Sequence, residues 1–278
     1  MLTPGDAFMT TLTGQVAIQT LRRIEASSDD SAHTLFQFGG DVFSRRAGEA
    51  DRLLFRVDGM LIRATEDVSD PERGDGFRRL GREMMIFSDP ITGEILDEWI
   101  NPFTGARVEV LPVANDHVNA TYHERDRQGS PFELNIERSG PHWSYRQSLQ
   151  IRRPNPLGAG FELQIGGMYH AVELFAFTGM ASQMDNLSVA ALDAAVSWSR
   201  ISDWFPWMNM EGREGTLYVH TTGAKLNHVK DLSPLLTQVI QKRFPAFLVP
   251  PPSGDTVPMD TSWTEYKVIK ESGTRWYE

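Results

Sequence analysis

Apolar and polar residues alternate along much of the chain with a period of two, beginning near His33. Because successive side chains of a strand point to opposite faces, this alternation predicts half-buried β-strands. The strand-like segments are HTLFQF, DRLLFRV, MLIRATEDV, Phe132 to Arg138, His142 to Arg152, Phe161 to Phe177, Thr216 to His220 and Trp263 to Lys270. With the segments between the turns described below, they predict a mainly β protein of about ten strands.

Two other segments repeat their apolar residues at helical spacing. One is Asp6–Ala26, so we assign residues 1–30 to an N-terminal helical segment. The other lies within residues 231–245, where Asp231 or Ser233 can act as the N-cap. The sequence therefore predicts one helix near each end of the strand-rich region.

Turn-forming residues separate the predicted strands. Asp58-Gly59 is a dipeptide typical of two-residue hairpins, and Thr222-Gly223 also predicts the end of a strand. Asp89–Gly93 and Asn101–Gly105 repeat one pattern, in which Asx-Pro begins a turn and Gly ends it. The spacing of these two turns leaves room for one strand of roughly seven residues, which predicts an antiparallel meander.

A meander of this length has exposed edges unless its sheet closes. We therefore predict an antiparallel up-and-down β-barrel, lipocalin- or calycin-like, with the N-terminal and C-terminal helices packed outside. The chain is expected to be a single domain over residues 1–278, with a Pro-rich loop at 250–261. Leu187–Ile201 fits either a helix or a strand, because AALDAAV favours the first and VSWSR the second.

Composition and charge exclude several classes of function. A formal net charge of −10, with basic residues clustered only in pairs, argues against nucleic-acid binding. The chain has no cysteine, which excludes disulfides and thiolate chemistry. It also has no signal-peptide pattern and no window of about 20 apolar residues. We expect a cytoplasmic protein with no membrane partner, and a homodimer is the base-rate expectation for its assembly.

One stretch combines aromatic and charged residues more densely than a solvent loop or a plain core would. Between Val196 and Lys225 it contains Trp198, Trp204 and Trp207 together with Arg200, Asp203, Arg213 and His220. Rings bury large areas, whereas buried charges need partners, and the wall of a pocket accommodates both. Arg200 and Asp203 also fit a structural ion pair. The stretch predicts a pocket for a hydrophobic, aromatic small molecule.

Motifs for cofactors and metals are missing. The sequence has no HExxH, GxGxxG, GxxxxGK[ST] or GxSxG pattern, so we expect no cofactor and no metal, and we favour acid–base chemistry. On the strand MYHAVELF, either His170 or Glu173 can face the interior, but not both. The candidate catalytic residues are His220, Arg200, His170, Tyr145, Arg146 and Asp203. The candidate substrate-binding residues are Trp198, Trp204, Trp207, Met208, Tyr218, Lys225 and Asn101.

Several of these motifs resemble a bacterial family known only as a domain of unknown function, DUF1838. They are Ser88–Glu94, Glu98–Gly105, Val113–Asn119, Trp198–Arg200, Trp204–Met208, and Tyr218–His220 with Gly223 and Lys225. The resemblance extends from about Leu35 to Pro252, and His117 departs from it, because proline is expected at that position. A catalytic role for His117 is correspondingly disfavoured.

A second resemblance is to bacterial enzymes that release formaldehyde from lignin-derived phenylcoumarans. It implies that His220 or His170 takes the proton of a primary alcohol, and that a carbon–carbon bond then breaks. The aryl ether oxygen would leave as a phenolate, stabilised by Arg200, Arg146 or Tyr145.

Three functions are thus open: a cofactor-independent lyase or isomerase, a lipocalin-like carrier of an apolar ligand, and a hydrolase or oxidoreductase with a metal held by His and Asp/Glu.

Overall fold

The computed structural model of the protein describes residues 8–162, 166–257 and 262–273. The strands are β1 (Phe8–Thr13), β2 (Thr34–Arg45), β3 (Arg52–Asp70), β4 (Gly74–Ser88), β5 (Glu98–Ile100), β6 (Arg107–Glu109), β7 (Val113–Asp116), β8 (Ala120–His123), β9 (Glu133–Ser139), β10 (His142–Pro154), β11 (Met168–Met180), β12 (Ala195–Ser202) and β13 (Thr216–Leu226). The α-helices are α1 (Gly14–Glu25), α2 (Ala181–Asp185), α3 (Pro234–Arg243) and α4 (Ser262–Ser272). Short 3₁₀ helices span Pro206–Met208, Val229–Asp231 and Pro245–Leu248.

Within these residues, eleven strands form one antiparallel sheet in the order β1-β9-β10-β11-β12-β13-β2-β3-β4-β7, with β8 also paired to β4. β13 pairs with β2, so the meander from β9 to β13 and the meander from β2 to β4 form one sheet. It curls into a half-barrel whose concave side holds the aromatic core, while β5 and β6 form a separate hairpin. The predicted mainly β, barrel-like fold is confirmed.

The predicted turn at Asp58-Gly59 is wrong, because β3 continues through both residues. A Cβ atom on Gly59 would lie 2.4 Å from the ring of Phe38, so this glycine admits a neighbouring side chain. Gly223 likewise lies within β13, where a Cβ would lie 2.0 Å from the Gln37 carbonyl oxygen. Both glycines therefore serve close approach between paired strands, and neither ends a strand.

The predicted turns at Asp89–Gly93 and Asn101–Gly105 are confirmed. The Gly93 N–H donates to the Asp89 carbonyl at 2.9 Å, and the Gly105 N–H donates to the Asn101 carbonyl at 2.8 Å. The strand between them is shorter than expected, because β5 has only three residues and pairs with β6 across the second turn. This small hairpin packs against the aromatic core through Trp99 and Val108.

The N-terminal segment combines a strand with a helix. Residues 1–7 lie outside the described residues, β1 pairs with β9, and the helix begins only at Gly14. Ile18, Leu21 and Ile24 of α1 pack among side chains of the concave face, whereas we predicted a helix packed outside. The helix contacts β1 and β9 at one edge of the sheet and β4 and β8 at the other. It therefore occupies the seam that the half-barrel leaves open.

The second predicted helix is confirmed as α3. The Ser233 hydroxyl accepts a hydrogen bond from the Leu236 N–H at 3.3 Å and caps the helix. Leu236 and Ile240 pack against outward-facing side chains of the sheet, including Met60 and Met84. This helix therefore covers part of the outer surface. Part of the predicted loop at 250–261 lies outside the described residues, and residues 250–257 contain no helix or strand.

The predicted strand from Trp263 to Lys270 is a helix, α4. Trp263, Tyr266 and Ile269 are spaced three residues apart, and all three pack on the aromatic core. This spacing places them on one face of a helix, whereas a strand would point them to alternating faces. The open segment Leu187–Ile201 is a strand only from Ala195 onward. The predicted strand at Phe161–Phe177 begins at Met168, and its residues 163–165 lie outside the described part.

We expect Gly59→Ala to destabilise the protein by about 1–3 kcal/mol, the usual cost of overpacking a core. The added methyl group would overlap the Phe38 ring and lie 2.8 Å from the Met84 carbonyl oxygen. The matched control is Gly167→Ala, because a Cβ there has no neighbour within 4 Å. Urea unfolding of both variants provides the measurement, and equal midpoints would contradict the close-approach role.

Candidate functional site

The concave side of the half-barrel encloses a cavity of about 480 Å³. Its wall is formed by β2, β3, β4 and β10 to β13, and it is completed by α1, α4, residues between Leu111 and Tyr122, and the 3₁₀ helix Pro206–Met208. The aromatic side chains that line it are Phe36, Phe38, Phe87, Tyr122, Tyr169, Phe175, Phe177, Trp198, Phe205, Trp207, Trp263 and Tyr266. The cavity is thus suited to a flat, hydrophobic molecule.

Strand alternation determines which side chains enter the cavity. On β4, Glu83, Met85 and Phe87 line it, whereas Met84 and Ile86 point outward against α3. The same period of two brings charged groups inward on β11 and β12. Ionisable groups therefore lie within an aromatic wall.

Three of these groups form a contact set that we call the Arg200 centre: Arg200, Glu173 and Tyr169. Arg200 Nη1 donates to Glu173 Oε1 at 2.8 Å, and Nη2 donates to the Tyr169 hydroxyl. Burial opposes the guanidinium charge, but Tyr169 and Glu173 outweigh it and raise the pKa of Arg200. The centre thus offers a fixed positive charge and a hydroxyl to a developing oxyanion.

Glu83 lines the cavity from β4 and interacts electrostatically with the Arg200 centre. Burial, then repulsion from Glu173, raises the pKa of Glu83 to about 7, although Arg200, Arg63 and Arg79 partly oppose this rise. Among the described residues, none forms a hydrogen bond or ion pair with its carboxyl group. A carboxyl group that titrates near neutrality and has no partner can act as a general base or acid.

A second charged group, the Glu25 cluster, consists of Glu25, Arg63 and Arg79 where α1 ends. Arg79 donates to Glu25 Oε2, and Arg63 Nη1 lies 3.7 Å from the same oxygen. Lys225 Nζ donates to the carbonyl oxygens of Arg23 and Ala26 at 3.0 and 3.1 Å. Burial, and then the charge of Arg63, lower the pKa of Lys225 to about 7. These contacts hold the C-terminal end of α1 inside the half-barrel.

The predicted catalytic residues do not converge on one site. Arg200 lines the cavity, and its carboxylate partner is Glu173, so an ion pair with Asp203 does not form. Instead, Asp203 Oδ2 accepts a hydrogen bond from the His170 backbone N–H at 2.9 Å. Tyr145 faces inward and stacks on Phe177 with ring centroids 6.0 Å apart, but it does not line the cavity.

The other predicted catalytic side chains lie on the outer face of the sheet. His220 alternates with Val219 and Thr221, which line the cavity, so its ring points outward and contacts Ser199 Oγ at 2.8 Å. The exposed side chain of Arg146 forms an ion pair with Glu137. The His170 side chain is exposed as well. The structure does not bring these side chains together at the cavity, and their catalytic roles remain predictions.

The predicted substrate-binding residues also divide into groups. Trp198 and Trp207 line the cavity. Trp204 and Met208 are buried in the core beside it, and Trp204 Nε1 donates to the Arg213 carbonyl at 3.1 Å. Asn101 is fully buried and donates to the Met208 carbonyl, which joins the second turn to the core. Tyr218 stacks against His220 on the outer face, with ring centroids 6.3 Å apart.

Sequence reasoning missed Glu83, Tyr169 and Arg153 as cavity residues. One signal for Glu83 was available, since it shares a strand face with Met85 and Phe87 in the run REMMIF. A carboxylate on an apolar strand face is costly unless it has a task or a partner. The sequence does not show that this face of the strand points inward, so Glu83 could not be assigned to the cavity from it.

Within the described residues, no group of three or more His, Cys, Asp or Glu side chains is arranged to hold a metal ion. None of the described helices is long and apolar enough to cross a lipid bilayer.

Comparison with known proteins identifies a family but no activity. Residues 31–270 match a family described as "Protein of unknown function (DUF1838)". None of the curated proteins matches the chain.

We expect Glu83 to make stability depend on pH. Because the folded protein holds this proton more tightly, with a pKa near 7 against a usual 4.5, its contribution is complete below about pH 4.5. That contribution is lost as the pH rises to about 7, and the loss is about 3 kcal/mol. Glu83→Gln should therefore gain stability relative to the unmodified protein between pH 5 and pH 7, as measured by urea unfolding.

The matched control is Glu133→Gln, which removes an exposed carboxylate on β9. Its stability should follow that of the unmodified protein across the range. If the profile of Glu83→Gln also ran parallel, Glu83 would ionise normally in the folded state.

Proposed function

Since the chain belongs to the DUF1838 family, whose description names no reaction, we propose its function from the cavity: cofactor-independent acid–base catalysis on a hydrophobic, aromatic small molecule. The observation that carries this proposal is the position of Glu83. A carboxyl group that the described residues leave unpaired, with its pKa raised to about 7, shares an aromatic cavity with the Arg200 centre. A base and an oxyanion-stabilising group thus border the same space.

The reaction that suits these groups best is a carbon–carbon lyase reaction that releases formaldehyde. Glu83 takes the proton from a primary alcohol on the substrate, and the oxygen then forms the carbonyl group of formaldehyde. The electrons of the broken carbon–carbon bond form a new carbon–carbon double bond and expel the neighbouring aryl ether oxygen. Arg200 and Tyr169 stabilise that oxygen as a phenolate, which finally receives the proton from Glu83. The sequence balances without an oxidant or reductant.

Aromatic side chains supply the binding energy in this proposal. Trp198 and Phe175 stack at an interplanar angle of 29°, with ring centroids 6.3 Å apart, and Phe205 and Trp207 stack with centroids 5.6 Å apart. Such rings offer flat surfaces to the aryl groups of a lignin-type dimer. They support a second candidate equally well, a non-catalytic carrier of an apolar ligand, because that function needs the rings but not Glu83.

The test is incubation with phenylcoumarans that carry a primary alcohol, followed by a formaldehyde assay and mass detection of the stilbene product. We expect Glu83→Gln to lower the rate by roughly 10²–10⁴-fold, because general-base catalysis contributes that much. Ligand affinity should stay nearly constant, since Gln preserves the size and most contacts of the side chain.

His220→Ala distinguishes the two candidate bases. The outward position of His220 leads us to expect a rate within about twofold of the unmodified protein, as is usual for substitutions away from a site. Activity that survives Glu83→Gln and is lost in His220→Ala would assign the proton transfer to the histidine. Saturable quenching of tryptophan fluorescence without any product would select the carrier. Elemental analysis of the purified protein tests the metal-dependent alternative.

A further inference from the structure

We propose that Arg153 anchors a carboxylate of the ligand, so that the molecules accepted by the cavity are aromatic acids. This inference rests on the proposed function, since it assumes that the cavity binds an aromatic small molecule. Its starting point is that Arg153 is the cavity arginine for which the described residues supply no ion-pair partner.

The charges that line the cavity do not balance. Four arginines line it, and three carboxylates face them; the arginines are Arg63, Arg79, Arg153 and Arg200, and the carboxylates are Glu25, Glu83 and Glu173. The cavity therefore carries one positive charge in excess, 4 − 3, even when Glu83 is ionised. The whole chain has the opposite sign, with a formal net charge of −10. A buried excess of positive charge favours an anionic ligand.

The hydrogen-bonding groups are unbalanced in the same direction. Several buried donors of the lining have no hydrogen-bond partner among the described residues: Arg63 Nε, Arg79 Nε, Arg153 Nε, Arg200 Nε, Trp198 Nε1 and Tyr266 Oη. All except the hydroxyl can only donate. A ligand with acceptor oxygens complements this excess of donors, and a carboxylate supplies two such oxygens.

Position selects Arg153 for this task. Arg63 and Arg79 contact Glu25, and Arg200 is committed to Glu173 and Tyr169. Arg153 lies on β10, where it pairs with Tyr169 of β11, and its guanidinium carbon lies 5.8 Å from the centroid of the Tyr169 ring. The guanidinium carbon of Arg200 lies 5.9 Å from the same ring. A carboxylate on Arg153 would therefore sit next to the Arg200 centre.

The chemistry favours a carboxylate over a phosphate. A guanidinium group presents paired N–H donors whose geometry matches the two oxygens of a carboxylate. The cavity has one excess positive charge when Glu83 is ionised, so a monoanion neutralises it, whereas a dianion would leave the cavity with a net negative charge. The aromatic wall then holds the remainder of the molecule.

The test compares trans-stilbene-4-carboxylate with its methyl ester, by calorimetric titration of the purified protein at pH 8. We expect the unmodified protein to bind the acid at least tenfold more tightly, because a charge-assisted hydrogen bond contributes roughly that ratio. In Arg153→Gln the acid should lose this preference, while the affinity for the ester stays within about twofold. Arg153→Lys should retain part of the preference, since it keeps the charge and loses the planar fork.

The matched control is Arg152→Gln, which removes the same charge from the next residue, an exposed side chain on the other face of β10. It should keep the full preference for the acid. The inference is overturned if Arg153→Gln still prefers the acid, or if Arg152→Gln loses the preference equally. Equal binding of acid and ester by the unmodified protein would overturn it while leaving the aromatic cavity intact. If neither compound bound, the proposed function would fail together with this inference.

Discussion

Charged groups enclosed by apolar walls need partners, and this constraint organises the interior of the half-barrel. The Glu25 cluster and the Arg200 centre both meet it, since Glu25 faces Arg63 and Arg79 and Glu173 faces Arg200. An enclosed ion that lost its partner would cost several kcal/mol, so these pairs hold the elements that carry them in one arrangement. The Glu25 cluster does this for α1, and the Arg200 centre does it for β11 and β12.

The position of α1 follows from the same constraint. A half-barrel has two open edges, and a helix laid in the seam covers them only if its own polar groups are satisfied. Arg23 donates to carbonyl oxygens of the loop around α2, and Lys225 donates to the carbonyls at the end of the helix. The charged residues near the C-terminal end of α1 are thus paired inside the protein, whereas Gln15, Val16 and Gln19 in its first half are exposed.

Glu83 is the exception that gives the cavity its chemical character. Every other lining carboxylate has an arginine partner, whereas the described residues leave the Glu83 carboxyl group without one. Its raised pKa is the expected consequence of burial beside another negative charge. Arg153 is the complementary exception among the cations. The described residues thus leave one acid and one cation without partners in the same aromatic cavity, and a ligand with its own polar groups would pair with both.

The sequence by itself determined the elements whose signals are local. Alternation predicted most of the strands, and Asx-Pro and Gly predicted the turns at Asp89–Gly93 and Asn101–Gly105. Helical spacing, with a cap at Asp231 or Ser233, predicted α3. A period of two shows that the faces of a strand differ, but it does not show which face is concave. For that reason His220 was predicted as catalytic, although it lies on the outer face, and Glu83 was missed.

Tertiary packing decided the rest. The local sequence around Gly59 predicts a turn, but Gly59 lies within a strand, where the Phe38 ring leaves no room for a side chain. The local sequence around Trp263 predicts a strand, but Trp263 packs on the core from a helix. Partners remote in sequence also determine which charges are paired and which are left for a ligand, as Arg200 shows by pairing with Glu173 instead of Asp203. Such pairings depend on how the sheet curls, and no local pattern specifies that curvature.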